Sequence, residues 1–163
     1  MRLIALLLAA SALSAQAPRK APSFTLPDVN RKLYDLTDYR GKVVVLEIMS
    51  TTCPHCAAFS KVLEQVHKQY AGRVQVLSIV NPPDGPETMH RHIQTHKTTY
   101  PLLFDSGQVA YTFVLTGQVT LPRVWIIDPA GMIAKDVAYG DLTRDFFEKR
   151  GVFAEIDKVL ARK

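Results

Sequence analysis

The stretch Lys42-Val43-Val44-Val45-Leu46-Glu47-Ile48-Met49 is a near-continuous apolar run rich in β-branched residues. It predicts a central strand covered on both faces, because a half-exposed strand alternates apolar with polar residues. Ser50-Thr51-Thr52-Cys53-Pro54-His55-Cys56 follows at once. From Pro54 to about Tyr70 the period turns helical, with Phe59, Val62, Leu63, Val66 and Tyr70 along one face. Proline suits the first turn of a helix, where Pro54 falls. A buried strand therefore runs straight into a helix, and both cysteines of the chain sit at the junction.

The remaining segments fit around that unit. Phe24-Thr25-Leu26 and Lys32-Leu33-Tyr34 flank a polar turn and predict a short hairpin. Leu36 to Tyr39 reads as a turn ending at Gly41, and Arg73 to Val80 as a second strand. Asn81 to Pro86 is a loop, Glu87 to Lys97 a polar helix, and Ser106 to about Leu115 another helix. Arg123 to Asp128 and Met132 to Tyr139 form a hairpin around Pro129-Ala130-Gly131. Leu142 to Ala161 is helical with a break expected at Gly151. This order predicts an α/β layer with a central mixed sheet flanked by helices. At 163 residues the chain suffices for one core. Its 47% hydrophobic and 21% charged composition is that of a globular domain. The formal charge is +5, but Lys and Arg are scattered, so no nucleic-acid partner is expected.

Residues 1–17 read differently. Met1-Arg2 is a short positive start, Leu3 to Ala10 an apolar stretch, and Ala15-Gln16-Ala17 an A-x-A cleavage pattern. The apolar part is too short to span a bilayer unaided. It predicts a secretory signal cleaved after Ala17, leaving residues 18–163 as the mature domain; the rival is an uncleaved anchor. Export places the chain in an oxidising compartment, the bacterial periplasm being the expectation.

Two cysteines in such a compartment could form a plain staple. A bridge between Cys53 and Cys56 encloses only Pro54 and His55, however, and restrains little of the unfolded chain. A reaction centre fits better. With Cys53 as N-cap, the free N–H groups of the first turn and the helix dipole favour its thiolate, the species that attacks disulfides. His55 can add a hydrogen bond or charge. Cys56, one turn inward, becomes the resolving partner.

The stretch from Val45 to Cys56 resembles the active site of thioredoxin-fold thiol–disulfide oxidoreductases. Cys53-Pro54-His55-Cys56 is similar to the motif of DsbA-type periplasmic disulfide oxidases. The layout, with Phe24 to Leu36 before the strand and Tyr100 to Gly107 downstream, is more similar to the TlpA/ResA-like branch and its redoxin relatives. The resemblance covers Phe24 to Leu160 and implies a thioredoxin-like fold with an N-terminal β-hairpin extension. It implies that Glu47, six residues before Cys53, is a buried carboxylate taking the proton of Cys56, and that Pro122 in Leu121-Pro122-Arg123 is a cis-proline facing the cysteines and exposing backbone to substrate. No cofactor beyond the Cys53–Cys56 redox pair, and no metal, is expected. Protein thiols or disulfides are the expected partners, with apocytochromes and a membrane electron donor or acceptor as candidates, for a monomeric enzyme. The direction, oxidase or reductase, stays open. Where the family commonly has tryptophan before the first cysteine, this chain has Thr52.

Three alternatives compete. A peroxiredoxin-like thiol peroxidase needs proline seven and Thr or Ser three residues before the reactive cysteine, and those positions hold Leu46 and Ser50. A copper-binding thioredoxin-fold chaperone could recruit His90, His92 and His96, but such chaperones resemble each other in having three residues between their cysteines. A polar, solvent-facing helix is the expected setting for these histidines. A binding module with an inert Cys53–Cys56 bridge is the third alternative.

Overall fold

The computed structural model describes residues 19–114, 119–148 and 150–162. The expected signal, residues 1–17, lies outside them, as does Leu115. Among the described residues no helix is long and apolar enough to cross a membrane.

A hairpin of β1 (Thr25–Pro27) and β2 (Leu33–Asp35) leads through a 3-10 turn, Leu36–Tyr39, into β3 (Val43–Met49). Then follow α1 (Pro54–Gln69), β4 (Val74–Val80), α2 (Pro86–His96), β5 (Leu102–Phe104) and α3 (Gln108–Val114). The chain closes with β6 (Arg123–Ile127), β7 (Ile133–Ala138), a 3-10 turn at Asp141–Thr143, α4 (Arg144–Glu148) and α5 (Gly151–Leu160). The main sheet has the order β5-β4-β3-β6-β7, with β3, β4 and β5 parallel and β6 and β7 antiparallel to their neighbours. It is the mixed α/β sheet expected, with the hairpin as a separate two-stranded sheet.

β3 lies at the centre and all seven of its residues are buried, as its composition requires. Alternation assigns its two faces. Val43 and Val45 join Phe59, Leu63 and Val66 of α1 and the apolar residues of α4 and α5. Val44, Leu46 and Ile48 join Trp125, Phe113 of α3, and Phe24 and Leu36. A fully buried Val, Leu or Ile contributes roughly 1.5–3 kcal/mol, so these two layers hold the domain. Gly72, with φ +83, takes the left-handed turn that sends α1 into β4.

Three details differ from expectation. Leu102–Phe104 is a strand, made one by parallel pairing with Ser78 to Val80. The C-terminal break falls before Gly151, which opens α5. Glycine is required there because a Cβ would lie 2.4 Å from the Phe146 Cα, where α4 and α5 abut. The third is α2. It is not simply solvent-facing: Met89 and Ile93 pack against Met49, Cys56, Val80 and Leu102, and His92 is 4% exposed.

Candidate active site

Cys53 is the N-cap of α1. Its backbone is extended, and its Sγ accepts a hydrogen bond from the Cys56 N–H at 3.3 Å. A sulfur can occupy a capping site because the first-turn N–H groups lack intrahelical partners. Pro54 stands in the first turn, where no N–H is needed. Cys53 is half-buried and Cys56 fully buried; both are free thiols. The strand-to-helix turn is tied down from a distance. Asp84, from the loop after β4, accepts the Thr51 N–H at 3.0 Å and the Thr51 hydroxyl. Burial pulls the Asp84 carboxyl up, but the two Thr51 bonds, with further ones from Ser50 and Thr88, outweigh it and hold it below the usual range.

Glu47 is 0% exposed. It faces Ser78 across the β3–β4 ladder, and Ser78 Oγ donates to its Oε2 at 2.5 Å. The other oxygen, Oε1, has no hydrogen-bond partner. Burial pushes Glu47 up to about 8, against the Ser78 bond. The Cys56 thiol is pushed far up as well, first by burial, then by the charge of Glu47 and by its bond with Cys53. Thiol and carboxyl are thus coupled: whichever loses its proton makes the other hold its own more tightly.

His55 is exposed, and its ring stacks on Tyr139 at 4.1 Å and 23°. The hydrogen bond to Cys53 Sγ comes from the Cys56 main chain. A cleft of about 200 Å³ opens beside this stack, lined by His55, Phe59, Val62, Tyr139 and Phe147.

The Leu121–Pro122 peptide is cis. Leu121 packs against the small buried cluster that contains Cys56, as Cys53 does. The Arg123 side chain is not brought there. It forms a two-point ion pair with Asp136 at 2.9 and 3.0 Å and lies over the Trp125 ring, on the sheet face that carries α3. Strand alternation is the reason: Arg123 and Trp125 share a side, and Val124 takes the side of α1.

Sequence reasoning missed Ser78, Asp84, Tyr100, Ser60 and the buried state of His92. Ser78 carried a signal, since it interrupts an apolar strand just as Glu47 does. Among the described residues no group of three or more His, Cys, Asp or Glu is placed to hold a metal ion.

The AhpC/TSA family model matches residues 18–136. The chain belongs to that family. Thiol-disulfide oxidoreductase ResA of Bacillus subtilis is 27% identical over 124 residues, covering 76% of this chain and 67% of ResA. Thioredoxin-like protein YneN of the same organism is 24% identical over 137 residues, 83% of this chain and 78% of YneN. A thioredoxin-family thiol:disulfide interchange protein of Chlorobium tepidum superposes with a TM-score of 0.75 at 19% identity, over 89% of this chain and 98% of that one. A secreted disulfide oxidoreductase of Mycobacterium tuberculosis does so with a TM-score of 0.64 at 17% identity, over 83% and 95%. Within the AhpC/TSA family the chain is a TlpA/ResA-like, thioredoxin-fold thiol–disulfide oxidoreductase.

Proposed function

We propose that Cys53 and Cys56 are the redox pair of an exported enzyme that exchanges disulfides with protein substrates. The carrying observation is the pairing of a half-buried sulfur at a helix N-terminus with a buried thiol coupled to a buried carboxyl. In the reducing direction the Cys53 thiolate attacks a substrate disulfide, and one substrate sulfur leaves as thiolate. Glu47 as carboxylate takes the Cys56 proton. The Cys56 thiolate then attacks Cys53 Sγ, the second substrate sulfur leaves, and the enzyme holds a disulfide while the substrate has gained two electrons. The same steps reversed oxidise a dithiol. The balance between directions is read from the enzyme's equilibrium with glutathione.

Pro54 sets the helix start, and His55 stands at the rim of the cleft. Leu121 and the cis Pro122 present main chain to an extended substrate, with Arg123 holding that segment through Asp136. The redox pair itself serves in place of a cofactor. Export agrees with the reading of residues 1–17 and with the secreted relative of Mycobacterium tuberculosis. The peroxidase alternative is disfavoured, since Leu46 and Ser50 stand where that pattern needs other neighbours and a resolving thiol lies one turn away.

Insulin reduction tests the reading. Cys53→Ser should abolish it. Cys56→Ser should instead accumulate mixed disulfides at Cys53, visible by non-reducing electrophoresis and mass spectrometry. Undiminished insulin reduction by Cys53→Ser overturns the proposal.

A further inference from the structure

Glu47 is sealed from solvent, so a proton passed to it needs a route out. Polar side chains that the exchange steps do not use lie in line behind it. Ser78 Oγ donates to Glu47. The Tyr100 hydroxyl is buried without a hydrogen-bond partner, Ser60 and Ser78 are the hydroxyls that favour its anion, and Ser78 N–H donates to the carbonyl of the adjoining Pro101 at 3.1 Å. Ser60 Oγ donates to the Cys56 carbonyl at 3.0 Å and lies 3.0 Å from His92 Nε2. A serine hydroxyl has a single proton. With that proton on the carbonyl, Ser60 accepts from Nε2–H, which leaves Nδ1 of His92 as the lone-pair nitrogen. Nδ1 is buried and unpartnered. The His96 ring stands 4.4 Å away, and both histidines line a surface pocket of about 220 Å³ with Thr88, Arg91 and Thr95. Each unsatisfied buried polar atom costs about 1–3 kcal/mol. Three of them, Glu47 Oε1, Tyr100 Oη and His92 Nδ1, belong to residues of this one run, which points to a use.

We propose that Ser78, Tyr100, Ser60 and His92 form a proton relay leading from Glu47 to the His92–His96 pair at the edge of a surface pocket. The relay rests on the reading of Glu47 as the acid–base partner of Cys56. At rest its two formed links point inward, from His92 Nε2–H to Ser60 and from Ser78 to Glu47. A proton arriving at His92 Nδ1 releases the Nε2 proton to Ser60, whose own proton moves to Tyr100, that of Tyr100 to Ser78, and that of Ser78 to Glu47. With the hydroxyls turned over, the same chain carries a proton outward. Each transfer breaks one N–H or O–H bond and makes another, so no electrons move. The groups facing the line are Cys56, Glu64 and His67 from α1, Asp84 from the loop before α2, and Arg91 and His96 on α2. Burial and His96 lower His92 to about 4 despite the opposing pull of Asp84, so it passes protons on without retaining them.

The two sulfurs are separable in a single turnover of reduced enzyme with an aromatic disulfide that liberates a coloured thiol. Cys53 releases the first equivalent and Cys56 the second. Ser60→Ala and His92→Ala should slow the second phase about tenfold relative to the first at neutral pH. Added imidazole should restore it in His92→Ala, in proportion to its free base, whereas thiazole, similar in shape but scarcely basic, should not. Should His92→Ala fail to fold, Ser60→Ala decides, through the solvent isotope effect on its second phase. An unchanged second phase overturns the relay, and so does equal rescue by both heterocycles. Glu47→Gln separates the layers. If it slows the second phase and the Ser60 and His92 variants do not, only the relay falls. If Glu47→Gln also leaves the second phase unchanged, the reading of Glu47 falls with it.

Discussion

Glu47 and Ser78 stand opposite each other in the parallel register of β3 and β4, joined by a hydrogen bond, in a layer otherwise made of valines and a methionine. A carboxyl in that layer titrates near 8 because burial disfavours its charge more than one hydroxyl can offset. The carboxylate is the proton-accepting form, so the rate of the Cys56 step should rise with pH through about 8. Glu47→Gln should flatten that profile. A profile equally steep in Glu47→Gln refutes the assignment.

The same shift has a signed effect on stability. The folded value lies above the unfolded one, so the stability linked to Glu47 is fully present below about 4.5 and is lost as pH rises through about 8. Over that window the loss is on the order of a few kcal/mol. Urea unfolding of the wild type and Glu47→Gln at pH 5 and pH 9 should show the variant less sensitive to the change. Parallel declines would show that other groups govern it.

Asp84 works in the opposite sense. Its bonds to Thr51 hold its folded value below the usual 3.8, so its contribution is present above that value and fades as pH falls through the folded one. Asp84→Ala should destabilise the domain by about 1–3 kcal/mol, visible as a drop in Tm, and should slow attack by Cys53 because the turn before it is no longer anchored. Asp84→Asn should keep part of the anchoring. Normal Tm and normal Cys53 kinetics in Asp84→Ala would rule the anchoring role out.

Gly151 offers a purely steric check. A Cβ there would meet the Phe146 Cα at 2.4 Å and the Asp145 carbonyl at 3.0 Å, both main chain, which cannot rotate away. Gly151→Ala should cost about 1–3 kcal/mol although alanine is the better helix former. A raised Tm would show that α4 and α5 can separate without penalty.

Most strands and helices were legible because each carries its own period: the buried run of β3, the helical face of α1, the hairpin of β6 and β7. β5 was not, since three residues between Pro101 and Asp105 become a strand only by pairing with β4. The cysteines and Glu47 stood out as exceptions within their elements. Their neighbours did not, because the pairing of Ser78 with Glu47 depends on a register between strands separated by a whole helix. His92 was within reach of the sequence. Met89, His92, Ile93 and His96 recur at i, i+3, i+4 and i+7, the spacing of a packed face, although the polar residues between them give the helix the composition of a solvated one.

Tyr139 ties the exposed rim of the site to the core. Its ring lies between His55, at 4.1 Å, and Phe147, at 5.4 Å, and its hydroxyl donates to Glu148 at 2.7 Å, a bond that raises its own titration. Stacking on Tyr139 restrains the His55 ring. Tyr139→Leu removes that restraint and lets His55 leave its place above the first turn of α1. Attack by Cys53 on a small aromatic disulfide should then slow roughly two- to tenfold. Tyr139→Phe keeps the stack and loses only the Glu148 bond, so its rate should stay near that of the wild type. The comparison separates the ring from the hydroxyl: equal slowing in both variants would place the effect in the Glu148 bond and leave the stack without a part in the reactivity of Cys53.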